Sequence, residues 1–240
     1  MIGKRNSNPP NQIIAVIPAA GSGTRMGLKK AKQFVELYGK PLLAITLNCF
    51  QECELVDGIV VVVPEDDMEY CINEIVNKYK LTKVLKVIAG GKRRQDSVRK
   101  GVEAIANSCK WVLIHDGARP LVSSMLISRV IKATKDSRAV ITGLPIKESV
   151  KEVNGQGRVL RSVNRSNLWL IQTPQIFMYE DIHQAHQNAI KYGWQGATDD
   201  AFLIEKMEIP ITIIEGQEDN IKVTTPEDLK LAQSLISKLK

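Results

Sequence analysis

The chain has 240 residues, of which 44% are hydrophobic and 25% charged, values that suit one large α/β domain or two small ones. Its longest apolar strand candidate, residues 58–63, is far short of the ~18 residues that a membrane-spanning helix needs. Residues 1–12 lack a signal-peptide core, so we expect a cytoplasmic protein without membrane contact. The excess of 33 basic over 26 acidic residues gives a net charge of +7, but the densest basic run is only residues 92–94 and aromatic residues make up 5%, which favours small polyanionic partners over nucleic acid.

The first predicted element is a strand at residues 13–17, an apolar, β-branched run typical of a strand buried in a parallel sheet. A loop of small residues follows at 18–27, where glycine and alanine let backbone amides approach a polyphosphate, and Arg25 and Lys32 would supply countercharge. The loop is not the dinucleotide fingerprint, because Met26 stands where the third glycine would be, and it does not match a P-loop. The loop alone leaves open a glycine-rich turn without a ligand.

Predicted strands and helices alternate along the rest of the chain. The strands are expected at residues 59–63, 84–89, 111–115, 139–142 and 211–214, and the helices at 41–51, 67–80, 96–107, 123–135 and 182–191. This order is typical of a Rossmann-like, three-layer α/β sheet. Ligands of such sheets bind at the carboxyl ends of the strands, so the residues after each strand are the candidates for a site.

Two loops that follow predicted strands carry such candidates. After residue 89, a glycine-led turn enters a helix whose first amides, with Gly91 and Ser97, suit a base, a ribose or a phosphate; ordinary capping by Asp96 or Ser97 is the alternative. After residue 115, Asp116 could hold a magnesium ion or a sugar hydroxyl, and Arg119 could bind a phosphate. A plain ion pair between these two side chains is the alternative.

Other reactive side chains are interpreted as structural. His115 is not expected to act as a base of a catalytic triad, because no G-x-S-x-G motif supplies a serine. His183 and His186 lack a third metal ligand nearby and are expected on a solvated helix face. The cysteines have no C-x-x-C spacing and are expected to be buried free thiols: Cys49, Cys53, Cys71 and Cys109.

Residues 145–173 break the α/β rhythm. Alternating runs at 147–153 and 158–163 flank a turn signal at 154–157, which predicts a β-hairpin. Since a lone hairpin is marginally stable in water, we expect a projecting arm that packs on another subunit. Towards the end of the chain, residues 198–200 are typical of a helix start, and Thr225 with Asp228 predicts a capping box for the last helix.

From about residue 13 to the last helix, the chain resembles the 2-C-methyl-D-erythritol 4-phosphate cytidylyltransferases. The shared motifs are PAAGSGTRMG at residues 18–27, KQ at 32–33, AGG at 89–91, DSV at 96–98, HDGARP at 115–120, LW at 168–169, QTPQ at 172–175, TDDA at 198–201 and DNIKVT at 219–224. The resemblance implies transfer of CMP from CTP to methylerythritol 4-phosphate with release of pyrophosphate, with Mg²⁺ or another divalent cation. It also implies a single cytidylyltransferase domain over residues 1–240 that dimerises through the arm.

The resemblance also assigns residues to roles. Arg25 and Lys32 match the catalytic positions that stabilise the pentacoordinate phosphate. Five residues match CTP-binding positions: Ala19, Ala20, Gly21, Gly91 and Ser97. Positions that bind or orient the sugar phosphate are matched by Asp116, Arg119, Thr198, Asp219 and Lys222, and Ser149 and Arg165 match residues that reach it from the partner's arm.

The arm departs from the family pattern, because Glu148-Ser149 stands where Asp-Thr is usual and Asn164 precedes Arg165 where an acidic residue is common. Two other functions remain open at this point. A ribitol 5-phosphate cytidylyltransferase shares the first loop and the NIKVT segment, and a nonenzymatic nucleotide- or RNA-binding protein could use the same basic cleft. An RNA-binding protein would lose affinity steeply as salt rises.

Overall fold

Seven strands form one mixed sheet in the computed structural model, which describes residues 12–21, 32–105 and 109–237, with only the backbone of Lys32. The strands of the described residues are β1 (Gln12–Pro18), β2 (Glu36–Leu37), β3 (Lys40–Pro41), β4 (Gly58–Val63), β5 (Val84–Ala89), β6 (Cys109–Ile114), β7 (Ala139–Pro145), β8 (Val150–Val153), β9 (Val159–Val163), β10 (Trp169–Met178) and β11 (Thr212–Glu215). The large sheet has the order β11-β7-β10-β6-β1-β4-β5. The predicted roles of Arg25 and of the Lys32 side chain fall outside the described part.

The predicted parallel strands are confirmed, since β6, β1, β4 and β5 run parallel as neighbours and β11 runs parallel to β7. The buried run of β1 and the fully buried β4 give this centre its apolar character. The sequence did not predict β10, which runs antiparallel between β6 and β7. Its sequence lacks the apolar run that marks a buried strand, because it contains the polar residues Gln172, Thr173 and Gln175. These three residues are buried and hydrogen-bond to other parts of the protein.

Helices cover both faces of the sheet, which confirms the three-layer α/β fold. They are α1 (Leu42–Glu52), α2 (Met68–Tyr70), α3 (Arg94–Glu103), α4 (Ser124–Lys132), α5 (Tyr179–Lys191), α6 (Ala201–Glu205) and α7 (Pro226–Ser237). One core layer joins α1 and α4 to the sheet around Phe50 and Leu126, and the other joins α3, α5 and α6 around Val98, Ile182 and Leu203. The segment predicted as one helix at 67–80 ends in a π-helix, Cys71–Asn77.

The predicted hairpin is confirmed as β8 and β9, which pair with each other apart from the main sheet. The arm is shorter than the predicted residues 145–173, because β10 already begins at Trp169, which pairs with Pro145 of β7. At the other end of the chain, the predicted cap of α7 is confirmed: Asp228 Oδ2 accepts hydrogen bonds from the amides of Thr224 and Thr225 at 2.8 and 2.9 Å. Within the described residues, no helix is long and apolar enough to cross a membrane.

The cysteines are free thiols, as predicted, although Cys49 is only partly buried. Burial raises the pKa of the Cys49 and Cys71 thiols to about 12, and that of Cys109 to about 11. These thiols are therefore protonated at neutral pH and are poor nucleophiles or metal ligands.

Candidate functional site

A cleft of about 410 Å³ opens at the carboxyl ends of β1, β5 and β6, where the sheet geometry predicts a ligand site. The five predicted CTP-binding residues all line it: Ala19, Ala20, Gly21, Gly91 and Ser97. So do two predicted substrate residues, Asp116 and Lys222. Among the described residues that line the cleft, four are cationic (Lys92, Arg93, Arg94 and Lys222) and Asp116 is the acidic one, so the cleft suits an anion.

The loops after β1 and β5 touch in this cleft because Gly90 has no side chain. A Cβ at Gly90 would lie 2.3 Å from Ala20 Cβ and 2.9 Å from Ser97 Oγ. The Ser97 hydroxyl accepts a hydrogen bond from the Gly91 amide at 3.1 Å and donates one to the Arg93 carbonyl at 3.1 Å. Ser97 therefore closes the turn before α3, whereas the predicted capping is made by Asp96, whose Oδ2 accepts a hydrogen bond from the Arg93 amide at 3.2 Å.

Asp116 lies among cations at the floor of the cleft. Lys222 Nζ lies 2.7 Å from its Oδ2, and Arg94 Nε donates to its Oδ1 at 2.8 Å. Burial alone would raise the pKa of Asp116, but Arg94 and Lys222 outweigh burial and hold this pKa well below its usual range. Asp116 is therefore ionised at neutral pH and fixes the position of the Lys222 ammonium.

Arg94 is a residue whose place in the site the sequence reasoning missed. Its Nη2 donates to Asp200 Oδ2 at 2.8 Å, so one arginine joins the cleft to the start of α6. Burial would lower the pKa of Arg94, but Asp200 and Asp116 outweigh burial and raise it. The available signal was its place as the first helical residue after a glycine turn; its two carboxylate partners are distant in sequence.

Arg119 supports the loop that carries Lys222. Its Nη1 donates to the Asn220 carbonyl at 2.7 Å, and the Val223 amide donates to the Ala118 carbonyl at 2.8 Å. Arg119 is not among the residues that line the cleft, and its Nε lies 3.8 Å from Asp116 Oδ2. Arg119 therefore lies next to Asp116 and beside the loop that carries Lys222.

His115 supports the floor of the cleft from the interior of the protein. It is fully buried, with Nε2 at 3.1 Å from the Arg119 carbonyl and Nδ1 at 3.1 Å from Thr173 Oγ1. Burial lowers the pKa of His115 to about 4, so the ring is neutral at pH 7. Because a carbonyl only accepts, Nε2 carries the proton and Nδ1 accepts from Thr173, whose oxygen also accepts from the Asp116 amide at 3.1 Å. Both ring nitrogens are thus engaged by the fold, in line with a structural histidine.

Besides Arg119, four predicted substrate residues lie outside the lining of this cleft. Thr198 is exposed and lines a separate hollow of about 280 Å³ together with Asp199 and Phe202. Asp219 is exposed on the turn that precedes Lys222. Ser149 and Arg165 are exposed at the base of the hairpin, where Arg165 donates to the Lys147 carbonyl.

Asp116 does not fit the predicted role of a metal ligand, because both of its oxygens are already paired with cations. Within the residues that the structure describes, no group of three or more His, Cys, Asp or Glu side chains could hold a metal ion. The predicted solvated face for His183 and His186 is wrong for His186, which is 1% exposed on the buried side of α5.

The chain is similar to proteins of one family along almost its whole length. A family model described as 2-C-methyl-D-erythritol 4-phosphate cytidylyltransferase matches residues 13–238. A protein of that name from Syntrophus aciditrophicus is 41% identical over 227 residues, covering 95% of this chain and 97% of that protein. One from Desulforamulus reducens is 42% identical over 226 residues, with coverage of 94% and 96%.

Solved structures show the same likeness. The 4-diphosphocytidyl-2C-methyl-D-erythritol synthase of Anaerococcus prevotii superposes with a TM-score of 0.82 at 32% identity, covering 95% of this chain and 97% of that one. The 2-C-methyl-D-erythritol 4-phosphate cytidylyltransferase of Thermus thermophilus gives a TM-score of 0.77 at 31% identity, with coverage of 94% and 99%.

Proposed function

Since the chain belongs to the 2-C-methyl-D-erythritol 4-phosphate cytidylyltransferase family, we propose that it transfers the cytidylyl group of CTP to 2-C-methyl-D-erythritol 4-phosphate. In this reaction a phosphate oxygen of the sugar phosphate attacks the α-phosphorus of CTP. The bond from that phosphorus to the β-phosphate oxygen breaks, and pyrophosphate leaves. The products are 4-diphosphocytidyl-2-C-methyl-D-erythritol and pyrophosphate, and the reaction belongs to non-mevalonate isoprenoid biosynthesis.

The observation that carries this proposal is the excess of cations in the cleft, next to the loop of Ala19–Gly21. The second pKa of a phosphate monoester is ~6, so the attacking oxygen is already an anion at neutral pH and needs no general base. Catalysis can then rest on positioning and on charge neutralisation. This agrees with a site in which His115 is neutral and fully occupied by hydrogen bonds to the fold.

We assign the residues as follows. Arg25 and Lys32 neutralise the charge that develops on the α-phosphate, and the amides of the first loop with Gly91 and Ser97 bind CTP. Lys222, held by Asp116, binds the sugar phosphate. Arg119 supports the loop that carries Lys222 and, as its sequence suggests, also binds a phosphate of the substrate. Thr198 and Asp219 border the position of the sugar.

We propose that the protein works as a homodimer in which each hairpin arm completes the partner's site. The arm exposes apolar side chains that an isolated domain would leave in water: Val153 at 52%, Val159 at 60% and Leu160 at 59%. A two-stranded hairpin gains stability when such a face is covered. Ser149 and Arg165 lie at the base of this arm and would bind the sugar phosphate from there.

We also propose that the reaction requires a divalent cation, Mg²⁺ or a related ion, and that the Asp116 carboxylate does not bind it. We expect a chelator to abolish the activity and added Mg²⁺ to restore it. Asp116→Asn should lower turnover by the same factor at every Mg²⁺ concentration, because the change disturbs Arg94 and Lys222. A shift of the half-saturating Mg²⁺ concentration in this variant would instead make Asp116 a metal ligand.

Pyrophosphate release by the purified protein with CTP and Mg²⁺ tests the proposed function. We expect release with 2-C-methyl-D-erythritol 4-phosphate and none with ribitol 5-phosphate. Release with ribitol 5-phosphate alone would move the protein to the polyol phosphate enzymes. Binding of CTP or RNA with neither substrate consumed would identify a nonenzymatic binding protein. We also propose a cytoplasmic location, where disulfides are rare, because the four cysteines form no disulfide.

A further inference from the structure

A second cavity, of about 230 Å³, lies beside the substrate cleft, between the first turns of α3 and the end of α5. Arg93 and Arg99 line it from α3 and its cap, His186 from α5, and Trp194 from the following loop. Gln95 Nε2 donates to the Trp194 carbonyl at 3.1 Å, which holds that loop over the cavity. The proposed reaction uses none of Arg99, His186 and Trp194, whereas Arg93 also lines the substrate cleft.

His186 is the residue of this cavity whose ring nitrogens need hydrogen-bond partners. It is 1% exposed, and both of its ring nitrogens lack a hydrogen-bond partner among the described residues. A buried polar group left in this state destabilises the fold, so native proteins nearly always satisfy it. Burial lowers the pKa of His186 to about 4, so at pH 7 the ring offers one donor and one acceptor to whatever occupies the cavity.

The charges around the cavity indicate what that occupant is. Two guanidinium groups and one carboxylate, that of Asp96, line it. Arg93 uses Nε and Nη2 on Asp96, and Arg99 uses Nη1 on both oxygens of Glu103. The Nε and Nη2 groups of Arg99 have no partner among the described residues, and they are the edge with which arginine binds carboxylates and phosphates.

We propose that this cavity binds a small ligand bearing an oxyanion group, a carboxylate or a phosphate, with Arg99 pairing with the oxyanion and His186 donating a hydrogen bond to the ligand. Ala189 and Trp194 would cover the apolar part of the ligand. The site is separate from the substrate cleft, but Arg93 lines both. A ligand here therefore changes the affinity for CTP, and CTP changes the affinity for this ligand by the same factor.

The experiment uses the histidine ring signals of the full-length protein in NMR spectra. The chain has three histidines, so variants at positions 115 and 183 assign the His186 signal. The protein is titrated at constant ionic strength with inorganic phosphate in one series and with sodium acetate in another. We expect a saturable shift of the His186 signal in at least one series, with a dissociation constant in the millimolar range or tighter. The series that saturates identifies the oxyanion.

Three variants test whether the shift of the His186 signal arises from binding at Arg99. Arg99→Gln should weaken the saturable shift tenfold or more, whereas Arg161→Gln, which removes another glutamate-paired arginine, should leave it unchanged. Lys222→Gln removes a cation of the substrate cleft and should also leave it unchanged. Because Arg99 is on the surface of α3, its variant is expected to keep the fold, which the other two histidine signals report. Absence of saturation in both series, or equal saturation in Arg99→Gln, would overturn the proposal.

Discussion

The guanidinium of Arg94 donates to the carboxylate of Asp200 at 2.8 Å, across 106 positions of the chain. The same guanidinium binds Asp116, so a single half-buried arginine pairs with two buried carboxylates and fixes the relative positions of the cleft floor and the start of α6. Removal of one partner of a buried ion pair leaves an uncompensated charge, which costs more than the pair itself contributes.

Arg94→Met should therefore lower the free energy of unfolding by about 3–5 kcal/mol and also reduce turnover. Urea denaturation at pH 7 measures the first effect. Arg161→Met, which breaks the exposed pair with Glu152, should change the stability by no more than about 1 kcal/mol. Similar small losses in both variants would show that the Arg94 bridge contributes little to stability.

Stability should fall as the pH is lowered from about 6.5 to 4, because His115 is neutral in the folded state. The pKa of His115 is lowered to about 4, whereas an unfolded histidine titrates near 6.5. In this window the unfolded chain binds a proton that the folded chain does not, so acid favours unfolding. The loss from His115 amounts to about 3 kcal/mol at pH 4.

Denaturation curves at several pH values measure this effect. In His115→Gln the unfolding free energy should fall less steeply between pH 6.5 and 4 than in the parent protein. The matched control is His183→Gln, which removes a partly exposed histidine that packs against Tyr179. Equal slopes for all three proteins would contradict the assignment.

Gly90→Ala should weaken CTP binding about tenfold or more, because the new methyl group would lie 2.3 Å from Ala20 Cβ and would separate the two loops of the cleft. Gly155→Ala, in the hairpin turn, is the matched control, since its Cβ would meet nothing within 4 Å. Titration of each variant with CTP makes the comparison. Unchanged affinity in Gly90→Ala would mean that the loops can separate without harm to the site.

Lys32→Ala should lower kcat by orders of magnitude while CTP binding is largely kept, because the proposed role of Lys32 is to neutralise charge in the transition state. Steady-state kinetics with a parallel CTP titration separates the two quantities. Lys40→Ala, on β3 outside the cleft, should behave as the parent protein. Loss of CTP binding with normal turnover at saturation would contradict the catalytic role.

Leu160→Glu should convert the proposed dimer into monomers and reduce turnover, because it places a charge on the apolar face of the arm. Sedimentation velocity over a range of concentrations reports the oligomeric state. Met125→Glu, at a side chain that is 65% exposed on α4, is the control and should leave the dimer intact. A parent protein that sediments as a monomer at all concentrations would refute the arm interface.

The sequence predicted the features that depend on local pattern. The apolar runs of β1, β4 and β6 mark buried parallel strands, and the loops after β1, β5 and β6 meet in one cleft because parallel strands end at the same edge. Two features depend on partners that are distant in the sequence. Buried polar side chains of β10 are satisfied by other elements, and Arg94 finds its two carboxylates only in the folded chain.

The arm enters and leaves the sheet at adjacent points. Pro145 of β7 pairs with Trp169 of β10, and the Ile146 amide donates to the Leu168 carbonyl at 3.0 Å. The hairpin is thus an insertion in the connection between two antiparallel neighbours. Such a segment can be shortened, lengthened or exchanged for a tight turn while the strands that carry it stay paired. Evolution could therefore alter how copies of this protein associate without rebuilding the sheet beneath the catalytic cleft.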